Sequence, residues 1–162
     1  MIRGIHHASF STNDLDRLVH FYRDLIGLEE VWRLHWDAGN EPADRIIGLK
    51  DTVVDLVMLK AGNAFLEIFQ YSNPKGKAGD PNRPACDSGL THVCFDVSDV
   101  YREYDRLQKL GVKFNSPPQE FESVCRSVYG RDADGNLFEL QEIVNPESRI
   151  MLPSRSTEPR AP

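Results

Sequence analysis

The sequence predicts an α+β fold made of two βαβββ modules joined by a linker, and three observations point to it. First, the chain carries an internal repeat. The segments GIHHASFSTNDLDR and GLTHVCFDVSDVYR each have a Gly start, a His, a Phe three residues after the His and an Asp seven residues after it. Second, each segment leads from a strand-like alternation into a helical pattern that a glycine ends. His7 to Gly27 spans 20 positions and His92 to Gly111 spans 19. Third, each half closes on a strand with a Glu set among apolar residues, Phe65-Leu66-Glu67-Ile68-Phe69 and Leu137-Phe138-Glu139-Leu140.

The elements follow in order. Residues 4–12 alternate and carry Ile5, Phe10 and Thr12, which predicts a strand. Asn13 or Asp14 then caps a helix in which Leu15, Leu18, Val19, Tyr22, Leu25 and Ile26 recur at helical spacing up to Gly27. Strands are expected near 28–36, 52–60 and 63–70, with Ala61-Gly62-Asn63 as a hairpin turn. The stretch 37–51 between the first two is irregular, with room for a short helical turn. Residues 71–88 are rich in Pro, Gly, Asn, Asp and Lys and form the one clear linker. The opening pattern then returns: a strand over 89–97, a cap at Ser98 or Asp99, a helix over 99–110, and strands over 112–115, 124–130 and 136–143. Asp134-Gly135 supplies a turn into the last strand. The domain reading is a first module over 1–72, a linker over 73–88, a second module over 89–144 and a polar, loosely held tail over 145–162.

Bulk properties narrow the function. The 162 residues are 40% hydrophobic and 27% charged, as in an ordinary soluble protein. Acidic residues outnumber basic ones 25 to 19, a formal charge of −6, which argues against a nucleic-acid partner. No apolar run approaches the roughly 20 residues of a membrane span, and the N-terminal residues lack a signal-peptide core. A cytoplasmic protein is therefore expected. Cys86, Cys94 and Cys125 are an odd number with no C-x-x-C spacing, so neither a disulfide framework nor a thiolate zinc site is indicated.

Strand parity selects the candidate site. Side chains alternate faces along a strand, so His7, Ser9 and Ser11 oppose Ala8, Phe10 and Thr12. In the repeat, His92, Cys94 and Asp96 oppose Val93, Phe95 and Val97. Glu67 and Glu139 oppose the apolar residues beside them. One face of each sheet suits packing against a helix, while the other carries a His and a Glu. Counting back seven residues from Asp14 and Asp99 selects His7 over its neighbour His6, which is expected on the helix side. If the two half-modules pair by pseudo-twofold symmetry, His7, Glu67, His92 and Glu139 converge as a His₂Glu₂ set around one divalent ion. Zn, Ni, Co, Mn and Fe all suit these ligands. A buried unpaired carboxylate would be costly, which favours a cation beside both glutamates. Ser9, Arg33, His35, Met58, Phe69, Cys94, Arg126 and Tyr129 are candidates for the substrate pocket, with Trp36 beside them.

The segments H-A-S-F-S-T-N-D-L-D-R, F-Y-R-D-L-I-G-L, L-T-H-V-C-F-D-V-S-D and D-A-D-G-N-L-F-E-L resemble the vicinal oxygen chelate superfamily over about residues 4–143. That superfamily includes glyoxalase I, methylmalonyl-CoA epimerase, extradiol dioxygenases and fosfomycin- or bleomycin-resistance proteins. The resemblance implies paired βαβββ modules forming a cupped mixed sheet around the metal. It also implies ligands on the first and last strands of each module, at His7, Glu67, His92 and Glu139. Glu at both carboxylate positions is closest to the glyoxalase I pattern.

The leading expectation is a metal-dependent isomerase or lyase acting on a small molecule with vicinal oxygens. Glu67 or Glu139 would move a proton next to a metal-bound carbonyl, through an enediolate or enolate. The alternatives are an Fe(II) extradiol-type ring-cleaving dioxygenase and a drug-resistance or small-molecule-binding protein. A site complete within one chain and a homodimer that exchanges modules both fit the repeat.

Overall fold

The computed structural model describes residues 1–152. Of the tail expected from residue 145 onward, residues 153–162 lie outside the described residues. The chain forms two mixed β-sheets with few helices, an α+β fold.

The first sheet has the order β1-β4-β3-β2, from β1 (His7–Thr12), β2 (Glu29–Trp36), β3 (Val53–Ala61) and β4 (Ala64–Asn73). β1 and β4 are parallel, and the other pairs are antiparallel. The second sheet has the order β5-β9-β8-β6, from β5 (His92–Asp96), β6 (Lys113–Phe114), β8 (Cys125–Arg131) and β9 (Leu137–Ile143). A short strand β7 (Gln119–Phe121) pairs with β8. In both sheets the opening strand lies beside the closing one, so the repeat in the sequence is a repeat in topology. β7 was expected to be loop. All three of its residues are exposed, so it has no apolar alternation and is held by backbone pairing to β8.

After β1 the Thr12 hydroxyl accepts from the Asp14 amide at 3.0 Å, and the Asp14 carboxylate accepts from the Arg17 amide at 3.1 Å. This caps α1 (Leu15–His20). The helix expected to run unbroken to Gly27 instead changes to a π-helical turn over Phe21–Ile26. Within that turn the consecutive aromatics Phe21 and Tyr22 are both buried, with their rings 5.1 Å apart edge to face. Gly27 closes it at φ +94°, a conformation costly for any residue with a Cβ. The short helical turn expected within 37–51 is α2 (Glu41–Ile47), capped by Asn40. α3 (Val100–Lys109) repeats the first capping device, with Asp99 accepting from the Arg102 amide at 3.0 Å.

By contact density the described residues divide into two compact units, residues 1–93 with 131–137, and residues 94–130 with 138–152. In the first, Leu18, Val19 and Tyr22 are buried together with Val57, Leu59, Leu66 and Ile68, which share the helix-side face of the sheet. In the second, Val100, Leu107, Val112, Phe138 and Leu140 form the core. The turn 131–137 groups with the first unit because of three ties. Tyr22 donates its hydroxyl to Asp132 at 2.8 Å, Arg17 pairs with Asp134 at 2.5 Å, and Arg131 donates to the Pro81 carbonyl at 3.1 Å.

Tyr22 and Asp132 make a buried polar pair, and the Asp132 carboxylate also accepts from the Asn136 and Asp134 amides. Burial first, and then the Asp132 charge, hold the Tyr22 phenol well above its ordinary value of 10.0. The folded protein therefore keeps this proton while an unfolded tyrosine loses it, so stability falls as pH rises past about 10. Tyr22→Phe is expected to cost about 1–2 kcal/mol at neutral pH, because Asp132 loses a donor. The variant should also lose less stability than wild type between about pH 9 and about pH 11. Urea unfolding midpoints at the two pH values check both expectations.

Candidate metal centre

Cross-strand register builds one face of the first sheet row by row. Ser9, Glu67, Met58 and Trp32 stand side by side across the four strands. The next row is Ser11, Phe69, Leu56 and Leu34, followed by Tyr71, Val54 and Trp36. His7 and Phe65 lie in the row on the other side of Glu67. Ring contacts agree with this assignment: Phe69 stacks on Tyr71 at 5.6 Å, and Trp36 meets Phe69 edge-on at 6.4 Å. Glu67 and His7 therefore stand on a face that is otherwise largely aromatic and aliphatic. Trp32 is 47% exposed and Leu34 40%, which leaves part of that apolar face open.

Two pocket candidates stand on the opposite face. Arg33 is in register with Val57 and Ile68, and His35 with Asp55 and Gln70, all on the side that carries the helix. Arg33 pairs there with Glu30 at 3.1 Å and with Asp16 of α1 at 3.5 Å. His35 bonds Asp55 at 2.9 Å and Asp37 at 3.3 Å, and these carboxylates raise its pKa. The residues that take their place, Trp32 and Leu34, were not singled out from the sequence. Their signal was present: Trp32, Leu34 and Trp36 recur at every second position.

His7 and Glu67 come together, Nε2 to Oε2, at 3.5 Å. The imidazole is 39% exposed and the carboxylate 15%. His6 lies just outside β1, so alternation does not govern it. Its ring stacks on Phe65 at 5.1 Å, and its Nδ1 is 2.9 Å from the Nδ1 of His7. It is not on the helix side. Its contact engages the Nδ1 of His7, while Nε2 faces Glu67. An outer partner of this kind fixes which imidazole nitrogen is left to bind a ligand.

In the second unit Glu139 is 7% exposed and accepts hydrogen bonds from the Ser127 hydroxyl and from the Gln141 side chain at 3.3 Å. Cys94 lies beside it, and burial followed by the Glu139 charge pushes the thiol up to about 12. Tyr129 is raised by burial and then by Glu139. Ser127 and Tyr129 thus share the Glu139 side of β8. Arg126, one residue out of step, is not brought to it. Arg126 pairs with Glu120 at 3.0 Å and Glu142 at 3.7 Å and lies 5.7 Å over the Tyr101 ring of α3. Ser127 was not picked out from the sequence because β8 has no clean alternation of apolar and polar residues.

His92 opens β5 and lines a cavity of the first unit together with Ser9 and Ser11. Among the described residues, no group of three or more His, Cys, Asp and Glu side chains is gathered closely enough to hold a metal ion. One imidazole beside one partly buried carboxylate, as at His7 and Glu67, is half of an N/O donor set for a divalent cation. The residues fit such an ion as partial sites. No described helix is long and apolar enough to cross a membrane.

Comparison with known proteins agrees with this architecture. Residues 4–140 match the model of the Glyoxalase/Bleomycin resistance protein/Dioxygenase superfamily. A 2-epi-5-epi-valiolone epimerase from Actinomyces sp is 31% identical over 120 residues, covering 72% of this chain and 64% of that protein. A biphenyl-2,3-diol 1,2-dioxygenase from Rhodococcus globerulus is 27% identical over 138 residues, covering 83% of this chain and 60% of that protein. The match therefore spans less than two thirds of the length of either relative. Among solved structures, a glyoxalase family protein from Bacillus cereus superposes with a TM-score of 0.79 at 25% identity, covering 90% of this chain and 97% of that one.

Proposed function

The chain belongs to the Glyoxalase/Bleomycin resistance protein/Dioxygenase superfamily, and from that premise we propose that it is a divalent-metal-dependent isomerase or lyase of glyoxalase or epimerase type. The observation that carries this reading is the pairing of His7 with Glu67 across the parallel strands β1 and β4, on a largely apolar face. The strand order that brings these two strands together recurs in the second sheet, where β5 carries His92 and β9 carries Glu139.

His7, Glu67, His92 and Glu139 would hold the ion. When bound, it supplies Lewis acidity toward a carbonyl oxygen of the substrate. The two carboxylates differ in their surroundings. Glu139 is almost fully buried and held by Ser127 and Gln141, which suits a fixed anionic ligand. Glu67 is bonded by no such donors and stands beside His7, so it is the group to move the proton. It takes a proton from the carbon next to the carbonyl, then returns it to the same carbon for epimerisation, or to the former carbonyl carbon for isomerisation while the hydroxyl proton of the first carbon passes to the former carbonyl oxygen. Met58 beside Glu67, and Trp32, Leu34 and Phe69 on the same face, make its surroundings largely apolar. The site is proposed to be completed either by the two modules of one chain or by a second copy that exchanges modules, since the repeat supplies one His and one Glu on the first and last strands of each sheet.

The test is exchange of the substrate hydrogen next to the carbonyl with deuterated solvent, followed by NMR. The metal-loaded protein is offered a panel of 2-oxo hemithioacetals, 2-substituted acyl thioesters and cyclic ketones. Exchange with at least one class is the expected result. Ring cleavage of a catechol with oxygen uptake, and no exchange with any carbonyl substrate, would replace this reading by the dioxygenase one.

A further inference from the structure

The cavity lined by His92 has a volume of about 290 Å³. Ser9 and Ser11 of the Glu67 face, Asp80 and Arg83 of the linker, and Arg131 share its lining. We propose that this cavity is an anion subsite that takes a carboxylate or phosphate group of the substrate. The proposal rests on the reading above for the word substrate, but the anion site itself stands on its own geometry.

The donor count carries it. A guanidinium has five N–H donors. Arg83 spends three, on the carbonyls of Leu90 at 3.3 Å, Asp87 at 3.0 Å and Ser88 at 3.3 Å. Arg131 also spends three, on the carbonyls of Pro81 at 3.1 Å, Gly135 at 2.6 Å and Arg83 at 3.0 Å. Each therefore retains two N–H donors, among them the Nε–H. All six partners are neutral carbonyls, and among the described residues neither guanidinium makes an ion pair. Most other arginines that bridge elements here are matched by a carboxylate: Arg17 by Asp134, Arg23 by Glu30, Arg33 by Asp16 and Arg126 by Glu142. Arg83 and Arg131 are instead fixed in place with their charges left over.

The rest of the lining agrees. The Ser9 and Ser11 hydroxyls make no hydrogen bond among the described residues and can donate to an anion. Asp80 is the one carboxylate in the lining, against two guanidiniums, and it caps its own loop by accepting from the Asn82 amide at 2.8 Å. Planar, preorganised guanidiniums with spare donors suit the two oxygens of a carboxylate or phosphate. The volume fits a small molecule of a few carbons. An anion held here lies beside His92, so the substrate class would be a short oxo acid or a small phosphate monoester.

The experiment uses the full chain, stripped of metal with a chelator, at low ionic strength. Inorganic phosphate and pyruvate are titrated while amide chemical shifts are followed by NMR. Saturable binding of at least one, with shifts centred on residues 80–91 and 131–136, is expected. Ser11→Asp places a negative charge in the cavity without touching the carbonyls that fix the arginines. It should weaken binding at least tenfold, and by clearly more than the neutral Ser11→Asn, which removes the hydroxyl but adds no charge. Absence of saturable binding in the wild type would overturn the proposal, and so would binding that survives in Ser11→Asp. Anion binding with no deuterium exchange would support the subsite and count against the enzymatic reading alone.

Discussion

Glu67→Gln is expected to reduce deuterium exchange at the substrate carbon by about 10²–10⁴-fold, the usual contribution of a positioned general base. The amide keeps the shape of the carboxylate and one acceptor oxygen but cannot take the proton. Glu139→Gln disturbs a group already held by Ser127 and Gln141, so its main effect should be on metal affinity. The two variants are separated by assaying exchange at saturating metal. Glu67→Gln should stay inactive there, whereas Glu139→Gln should recover in part. Equal recovery of both would contradict the division of roles between the two carboxylates.

Gly135→Ala should be the most destabilising single methyl in the turn between β8 and β9. Gly135 has φ +88°, where an L side chain costs roughly 1–2 kcal/mol. A Cβ there would also overlap the Cα and carbonyl oxygen of Pro81 and lie 2.6 Å from its Cβ. Two backbone segments cannot both stay in place, and overpacking of this kind adds about 1–3 kcal/mol. The expected loss is about 2–4 kcal/mol by urea unfolding, with faster proteolysis within 79–91 as the linker comes away. Gly135→Asn separates the two causes, because Asn tolerates positive φ better but carries the same Cβ. A similar loss in both variants assigns the effect to the clash with Pro81. An unfolding midpoint for Gly135→Ala equal to that of wild type would show that the linker does not pack on this turn.

Much of the architecture was legible in the sequence because the repeat is local. His7 and His92, each followed at fixed distances by Phe and Asp, marked the opening strands and helices of both halves. Alternation around Glu67 read its two faces, and the structure buries Leu66 and Ile68 while setting Glu67 against His7. What escaped depends on partners distant in sequence. Which side of β2 joins the Glu67 face is decided by its pairing with β3, and an irregularity between Glu30 and Trp32 shifts that register. This is why Arg33 and His35 stand with the helix and Trp32 and Leu34 with Glu67. Arg126 and Ser127 were ambiguous for a related reason. β8 mixes small, polar and apolar residues on both faces, and only the bonds to Glu142 and Glu139 tell them apart. β7 is three residues long with Phe121 as its one apolar residue, too short to show an alternation. The Tyr22–Asp132 tie joins positions 110 apart and leaves no local pattern.

His7, Glu67, His92 and Glu139 are proposed to share one divalent ion. The most direct test is metal titration of the chelator-treated chain by calorimetry, with bound metal counted by elemental analysis, for wild type and for His7→Ala, Glu67→Ala, His92→Ala and Glu139→Ala. Sharing of one ion by all four residues predicts one ion per chain in the wild type and a loss of affinity greater than about 100-fold in each variant, since loss of an outer partner alone costs about 10–100-fold. A wild type that binds no divalent ion would contradict it. So would His7→Ala and His92→Ala proteins that bind the ion as tightly as wild type.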